Sequence, residues 1–471
     1  MDLTNIVKKM VSPILSDLFL RTTHTSPERV VALTPAGSNR RYYRLSSSAA
    51  TLVGCEGTSL DENEAFFAVG RQLRAAGARV PEVVAVSDDR LCYLQQDLGD
   101  TSLFSLLQQG DDSLCDEVMR QLPLMQHALH GSFDFSRCYP LPAMDRRSVM
   151  WDLNYFKYDF LKFTAIDFSE PLLEDAFEQL ADALLAEEPT TFMYRDFQSR
   201  NVLVHDGQPW FIDFQGGRRG PIEYDVASFL WQVRANFSEA QRERLIGVYL
   251  NALKAYRPVD GEHFRQRLRL FVLFRLMQVL GAYGFRGLYE KKAHFLQSLV
   301  PAVRSLRHEL DSGCADAFPY LREILYKVCD LPRFAPSAPA EGLTVQVTSF
   351  SYRRALPEDL SGNGGGFVFD CRAIHNPGRY DEYKALTGRD EAVVRFLDDV
   401  PAMADFLTHV YALVDNAVDV YLRRGFSHLC VSFGCTGGQH RSVYAAEHLA
   451  AHLQERYGSD VHVALTHREH P

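Results

Sequence analysis

The nine cysteines are odd in number and none stands in a C-x-x-C pair. The sequence therefore signals neither a disulfide framework nor a zinc site, and most of the cysteines read as buried thiols. The amino terminus lacks the basic region and continuous apolar stretch of a signal peptide, because Lys8, Lys9 and Asp17 break its apolar positions into an amphipathic pattern. No uninterrupted apolar run reaches membrane-spanning length. Basic charge is also short: 50 Lys and Arg face 60 Asp and Glu, a net charge of −10, which disfavours diffuse binding to nucleic acid or anionic membranes. These absences predict a cytoplasmic protein with no membrane partner. What remains is 471 residues, 46% hydrophobic and 23% charged, enough for more than one full core.

One region carries more chemistry than any other. Residues 194–204 read Y-R-D-F-Q-S-R-N-V-L-V and residues 210–215 read W-F-I-D-F-Q. A carboxylate, Asp196, is followed five positions later by the carboxamide of Asn201, and a second carboxylate, Asp213, interrupts an apolar run. A turn Asp and a strand-end Asp are common structural residues. Asp213 argues against that reading, since a carboxylate among Phe211, Ile212 and Phe214 is costly to bury unless a cation offsets it. Sites of the protein-kinase kind use this set: the first Asp accepts the proton of the attacking hydroxyl, and the Asn and second Asp hold magnesium against the nucleotide phosphates.

These residues resemble the aminoglycoside phosphotransferase and choline kinase superfamily, and within it the AmgK-type cell-wall sugar kinases that phosphorylate the anomeric hydroxyl of N-acetylmuramic acid and N-acetylglucosamine. The resemblance continues through residues 216–228, G-G-R-R-G-P-I-E-Y-D-V-A-S, and upstream through residues 37–45, G-S-N-R-R-Y-Y-R-L, and the hinge-like 96–100, Q-D-L-G-D. It implies an α+β bilobal protein-kinase-like fold over about residues 1–330, ATP and Mg2+ as cofactors, Asp196 as catalytic base, and Asn201 and Asp213 as metal ligands. Tyr194 and Gln198 stand where the family has histidines. The segment 51–56 also offers no phosphate-pairing lysine. Arg40, Arg41 or Arg44 would supply that charge, with Glu64 as the cation's partner and Asp97 at the nucleotide.

Short apolar runs up to about residue 95 suggest a small nucleotide lobe, with Phe66, Phe67, Val69 and Leu73 spaced for a helix on a sheet. Helical periodicity over about 100–190 and 225–330, as in Leu276, Val279, Leu280 and Tyr283, suggests a larger helical lobe. Asp152, Tyr155, Lys157 and Tyr158 are candidates for the acceptor wall, against the alternative of a packed helix with a wet polar face.

Residues 331–343 contain three prolines and little to bury, and read as a semi-extended linker. Beyond it, strands are expected at 344–350, 367–372, 428–433 and 461–466 and helices at 402–422 and 442–455, a separate α/β domain. At its centre, residues 430–443 read C-V-S-F-G-C-T-G-G-Q-H-R-S-V, a strand running through a glycine-rich turn into a helix. Backbone amides and the helix N-terminus converge there with Arg441, which makes an anion cradle. The same residues satisfy C-x-x-G-x-x-R-S, the pattern of cysteine-dependent phosphatases, although Gly434 replaces the usual preceding His.

Residues 348–352, 369–372, 376–377, 386–388, 434–442 and 467–468 together resemble the C-terminal domain of RapZ, the RNase adapter family, over about residues 344–471. The resemblance implies an amino-sugar-phosphate pocket lined by Thr436, Gly437, Gly438, Gln439, His440 and Arg441, with Asp370, Arg372 and His467 nearby. It also leaves open a homo-oligomer through this domain. RNA is not a favoured partner: the Walker motif that precedes this module in RapZ is missing, and residues 344–471 hold 12 Lys and Arg against 16 Asp and Glu, the wrong sign for RNA. The combined expectation is a small-molecule kinase with an amino-sugar acceptor, fused to a sugar-phosphate-binding domain. An RNA-binding adapter with a degenerate kinase domain, a phosphatase, and a kinase for another alcohol such as an aminoglycoside are the alternatives.

Overall fold

The computed structural model describes residues 12–33, 40–131, 133–290, 293–331, 334, 342–354, 356–357 and 366–470. Gly37, Ser38 and Asn39 of the nucleotide-loop segment, and most of the proline-rich linker, lie outside the described residues. The chain divides into two compact units, Met1–Phe285 with Pro301–Asp330, and Arg286–Val300 with Leu331–Pro471. The second unit thus takes in residues 286–300, which the sequence reading places in the helical lobe. The chain leaves the long helix of that lobe through a π-helical turn, Gly284–Tyr289.

The first unit begins with helix α1 (Pro13–Thr23), whose front is set by Ser12, accepting from the Ile14 amide, and by proline in the first turn. Leu15, Leu18 and Phe19 pack on Tyr43, Leu45, Cys92 and Leu94 of an antiparallel sheet. Its order is β1-β2-β3-β5-β4, from β1 (Arg29–Ala32), β2 (Arg41–Ser46), β3 (Thr51–Glu56), β4 (Val83–Val86) and β5 (Cys92–Gln96). Helix α2 (Leu60–Ala75) is capped by Ser59 on the Glu62 amide, and Asp61 and Glu62 in its first turn suit the positive end of the helix dipole. It buries Phe66, Phe67, Val69 and Leu73, the positions whose spacing predicts it.

The larger lobe holds α3 (Leu103–Leu107), α4 (Cys115–His127), α5 (Arg146–Asp159), α6 (Glu170–Leu184), α7 (Ile222–Leu230), α8 (Glu239–Leu253), α9 (Gly261–Tyr283) and α11 (Pro319–Cys329). Helix α10 (Ala293–Asp311) spans the division between the units. With its extension to Gly287, α9 is long and apolar enough to cross a membrane, but most of that stretch is buried within the fold, with Leu276 and Leu280 fully covered. Two short antiparallel pairs carry the chemistry-bearing segments: β6 (Thr191–Met193) with β9 (Arg218–Gly220), and β7 (Val202–His205) with β8 (Gln208–Phe211).

The second unit contains a four-stranded parallel sheet of order β11-β12-β10-β13, from β10 (Leu343–Ser351), β11 (Gly366–Asp370), β12 (His428–Cys435) and β13 (Val461–His467). The two central strands are almost continuously buried and the edge strands are partly exposed, as parallel sheets demand. Helices α12 (Glu391–Asp398), α13 (Pro401–Arg424) and α14 (Arg441–Tyr457) accompany it. Each expected strand and helix of this region is present, with ends differing by at most two residues.

Candidate active site and anion cradle

Asp196 sits on a loop fixed from below. The chain leaves β6 at Met193, and the next two amides, of Tyr194 and Arg195, donate to the two oxygens of Asp225 at 2.9 Å each. Asp225 lies fully buried on α7 and also accepts from Gln126 Nε2 at 3.1 Å. Burial pushes its carboxyl up to about 7, against the pull of those three donors. Arg195 adopts a left-handed φ of 75°, rare for a side chain of this size, and is held there by Asp152, whose oxygens lie 3.0 and 3.1 Å from Nη2. The buried Tyr194 donates its hydroxyl to the Ile212 carbonyl at 2.5 Å, tying this loop to the segment that bears Asp213.

The three residues singled out by spacing converge. Asn201 Nδ2 donates to the Asp196 carbonyl at 2.8 Å and to Asp213 Oδ2 at 3.2 Å, while Gln215 Nε2 donates to Asp213 Oδ1 at 2.7 Å. With its nitrogen so engaged, Asn201 turns its carboxamide oxygen away from Asp213. Asp213 has a left-handed φ of 68°, and burial, then the Asp196 charge, pushes its carboxyl up. The Asp213 carboxylate is a hard-oxygen donor of the kind that suits a divalent cation such as Mg2+, and the Asn201 carboxamide would join it through its oxygen only with the side chain turned over, since its nitrogen faces Asp213. The Asp196 carboxylate faces Gly216: a Cβ there would stand 3.9 Å from Oδ2.

The arginines separate clearly. Arg41 is exposed and pairs with Glu56 at 3.2 Å. Arg44 is spanned by two carboxylates, Asp97 at 2.6 Å and Asp100 at 2.8 Å, so Asp97 and Arg44 hold the hinge together rather than present an open charge. Arg40 is buried; its Nε lies 3.3 Å from Glu62 and its guanidinium over the Phe66 ring, and its charge lowers the cost of ionising Asp213. Glu64 is corrected as the cation's partner: it pairs with Arg90. Glu62 and Glu64 are two residues apart on α2, so they face opposite sides and only Glu62 reaches Arg40.

The proposed acceptor wall on α5 is also revised. Asp152 is committed to Arg195, and Lys157 is buried between Glu170 and Glu174, 2.5 Å from each; Tyr158 is exposed. A cavity of about 130 Å³ opens beside the 196–201 loop, lined by Gln198 and Arg200 with Trp231, Arg234, Arg275 and Tyr283 among others, and by no carboxylate among the described residues. Asp225, Glu62 and Trp231 were not singled out from the sequence. Their roles depend on which helix packs where, which no local spacing encodes.

In the second unit the turn after Cys435 is built by backbone. Thr436 and Gly437 are exposed, and Gly438 has φ 67° and a Cα so close to Glu469 and the Ser351 amide that a Cβ would stand 2.5 and 2.9 Å away. Gln439 Nε2 donates to the carbonyls of Lys384 and Leu386, and the His440 Nε2 lies 2.8 Å from the Tyr383 carbonyl, so both side chains brace the turn. Arg441 Nη1 donates to the carbonyls of Cys371, Arg372 and Ile374. Helix α14 then starts with no side-chain cap, leaving first-turn amides available. Asp370 and Arg372 pair with each other at 2.7 Å, and Arg372 stacks 4.0 Å over the Tyr352 ring. His467 lies beneath the sheet end, between Ser349 Oγ at 2.8 Å and Glu447 at 3.1 Å.

Residues 30–261 match the model of the phosphotransferase enzyme family, and residues 343–471 that of the RapZ C-terminal domain. Among curated proteins, a nucleotide-binding protein of Paramagnetospirillum magneticum is 43% identical over 128 residues, 27% of this chain and 39% of that one. One of Ruegeria pomeroyi is 41% identical over 136 residues, 29% and 45% of the two chains. The chain thus spans about two fifths of the length of the curated relatives it matches. Among solved structures, the GDP complex of aminoglycoside 2'-phosphotransferase-IIIa covers 65% of this chain and all of its own, at 14% identity and TM-score 0.44. A choline kinase from Cryptosporidium parvum covers 63% and 93%, with the same identity and score. The chain joins a segment that matches the phosphotransferase enzyme family to one that matches the RapZ C-terminal domain.

Proposed function

We propose that the first unit is an ATP-dependent kinase that phosphorylates the anomeric hydroxyl of an amino sugar of cell-wall recycling, and that the second binds an amino-sugar phosphate. The carrying observation is the convergence of Asp196, Asn201 and Asp213 on one corner, with the buried Arg40–Glu62 pair behind Asp213. Asp196 accepts the proton of the acceptor hydroxyl. Arg40 pairs with the nucleotide phosphates in place of the missing lysine, and Glu62 orients it. Asp213 and, with its carboxamide turned over, the Asn201 oxygen would hold Mg2+, which would supply charge neutralisation at the phosphate oxygens. The cavity beside the loop supports an acceptor with aromatic-stacking sugar faces and a negative charge, since Arg200, Arg234 and Arg275 line it without a carboxylate. N-acetylmuramic acid, which bears a carboxylate, fits this lining better than N-acetylglucosamine.

The test is ATP consumption over a panel of amino sugars, with NMR assignment of the phosphorylated oxygen. A sugar 1-phosphate, formed faster from N-acetylmuramic acid, is expected, and Asp196→Asn should lower turnover by roughly 10²–10⁴-fold, the usual share of general-base catalysis. A 6-phosphate product removes the anomeric assignment. Turnover within a few fold of wild type in Asp196→Asn removes the base.

A further inference from the structure

Phosphate recognition by the turn at 435–441 leaves one of its groups without a task, the thiol of Cys435. This residue ends β12, six positions before the Arg441 that opens α14, so a thiol and a guanidinium flank one glycine-rich turn. Its Sγ lies 3.1 Å from the Ser442 hydroxyl, and the backbone of Ser442 and Gln439 presents its amides toward the sulfur. Burial alone raises a thiol, but here those donors and the Arg441 charge outweigh it and the thiol is held below its ordinary value. Cys371 shows the contrast: equally buried and without such donors, it is pushed up.

A second observation is independent of the thiol. Arg441 is only 4% exposed, and its Nη1 is fixed by three carbonyls at 2.8–3.3 Å. Its Nε–H is buried with no hydrogen-bond partner among the described residues. A buried guanidinium edge without an acceptor is costly. An oxyanion satisfies it by charge-assisted hydrogen bonds, with the α14 amides as further donors.

We propose that Cys435 is a nucleophile toward phosphorus, and that the turn hydrolyses phosphomonoesters held by the Arg441 edge and the start of α14. This rests on the reading of the turn as a phosphate cradle. In the first step the thiolate forms an S–P bond while the P–O ester bond breaks, and the alcohol oxygen leaves with the electron pair. In the second, water adds to phosphorus, the S–P bond breaks, the thiolate returns, and both water protons leave on dihydrogen phosphate. The first step needs a proton donor when the leaving group is an alkoxide. Asp370, at the adjacent strand end, is held as a carboxylate by Arg372 and does not supply one. The substrate class is therefore aryl phosphates, whose phenolates depart unprotonated.

The test uses the full chain without nucleotide. Iodoacetamide labelling of Cys435, mapped by mass spectrometry, is measured with and without orthovanadate, and 4-nitrophenyl phosphate hydrolysis is measured in wild type and Cys435→Ser. Protection by vanadate, wild-type hydrolysis, and loss of it to the no-enzyme rate in the variant are expected. Protection without hydrolysis overturns the nucleophile and leaves the cradle standing. Absence of protection overturns the cradle and the proposal together, on wild-type protein whatever the variant's folding. Hydrolysis persisting in Cys435→Ser places it elsewhere and overturns the assignment.

Discussion

Gly216 and Gly217 are neighbours whose replacement by alanine should do opposite things. At Gly217 a Cβ would stand 2.2 and 2.5 Å from the Phe192 ring and 3.0 Å from the Phe214 carbonyl. Phe192 is fully buried, so its ring has no free side toward which to move, and the Phe214 carbonyl is backbone. Relieving contacts more than 1 Å too short amounts to overpacking, which costs about 1–3 kcal/mol. Gly217→Ala should lower Tm by several degrees, at roughly 2–4 °C per kcal/mol for a unit of this size. At Gly216 the nearest heavy atom to a Cβ is Asp196 Oδ2 at 3.9 Å, an ordinary contact. Gly216→Ala should therefore melt like wild type, while its methyl takes space beside the catalytic carboxylate and lowers kcat/KM by roughly 10–100-fold through misplacement of the acceptor. Thermal melts and steady-state ATP turnover on the two variants separate the effects. Equal melting losses would refute the packing argument, and wild-type kinetics in Gly216→Ala would refute the placement of the acceptor against this face of Asp196.

Arg40→Ala should weaken ATP use by roughly 10–100-fold, the worth of one charge-assisted hydrogen bond of about 1.5–3 kcal/mol, whereas Arg41→Ala should stay within a few fold. Equal effects of the two on the KM for ATP or on kcat would remove Arg40 from the nucleotide. Asp225 has a folded pKa of about 7, above its unfolded value near 3.9, so its stabilising contribution is present below about pH 4 and is lost as pH rises through 7. Urea unfolding should show wild type losing roughly 3 kcal/mol between pH 5 and pH 8 that Asp225→Asn does not lose; parallel pH profiles would show that Asp225 is ionised in the fold throughout.

The convergence of Asp196, Asn201 and Asp213 was legible because it is written in short spacings: four residues between the first pair, and a charge set in an apolar strand end. The strand–turn–helix around Cys435 was legible for the same reason, since glycine marks the turn. Partners contributed by distant elements were not. Glu62 and Glu64 look alike in the sequence, and only the rotation of α2 against the sheet decides which one meets Arg40. Arg44 and Asp97 were each read as nucleotide ligands, yet across a separation of 53 positions the fold brings them to each other. Asp152 read as a polar wall because nothing local reveals that Arg195, held at a left-handed φ, turns back onto it.

The ring of Phe66 lies flat on that of Phe214, 4.8 Å apart and 9° from parallel. Glu62, one turn earlier on α2, faces Arg40, and Gly70, one turn later, clears a space in which a Cβ would stand 3.1 Å from the Phe214 ring. A single helical stripe of three residues therefore meets Phe214, the neighbour of Asp213, through Phe66 with Gly70 leaving it room, and the Arg40 guanidinium through Glu62. Mechanically this is a tie rod: a slide or rotation of α2 would strain the Arg40 pair and the Phe214 stacking together. A ligand that displaced α2 would therefore act on the surroundings of Arg40 and of Asp213 at once.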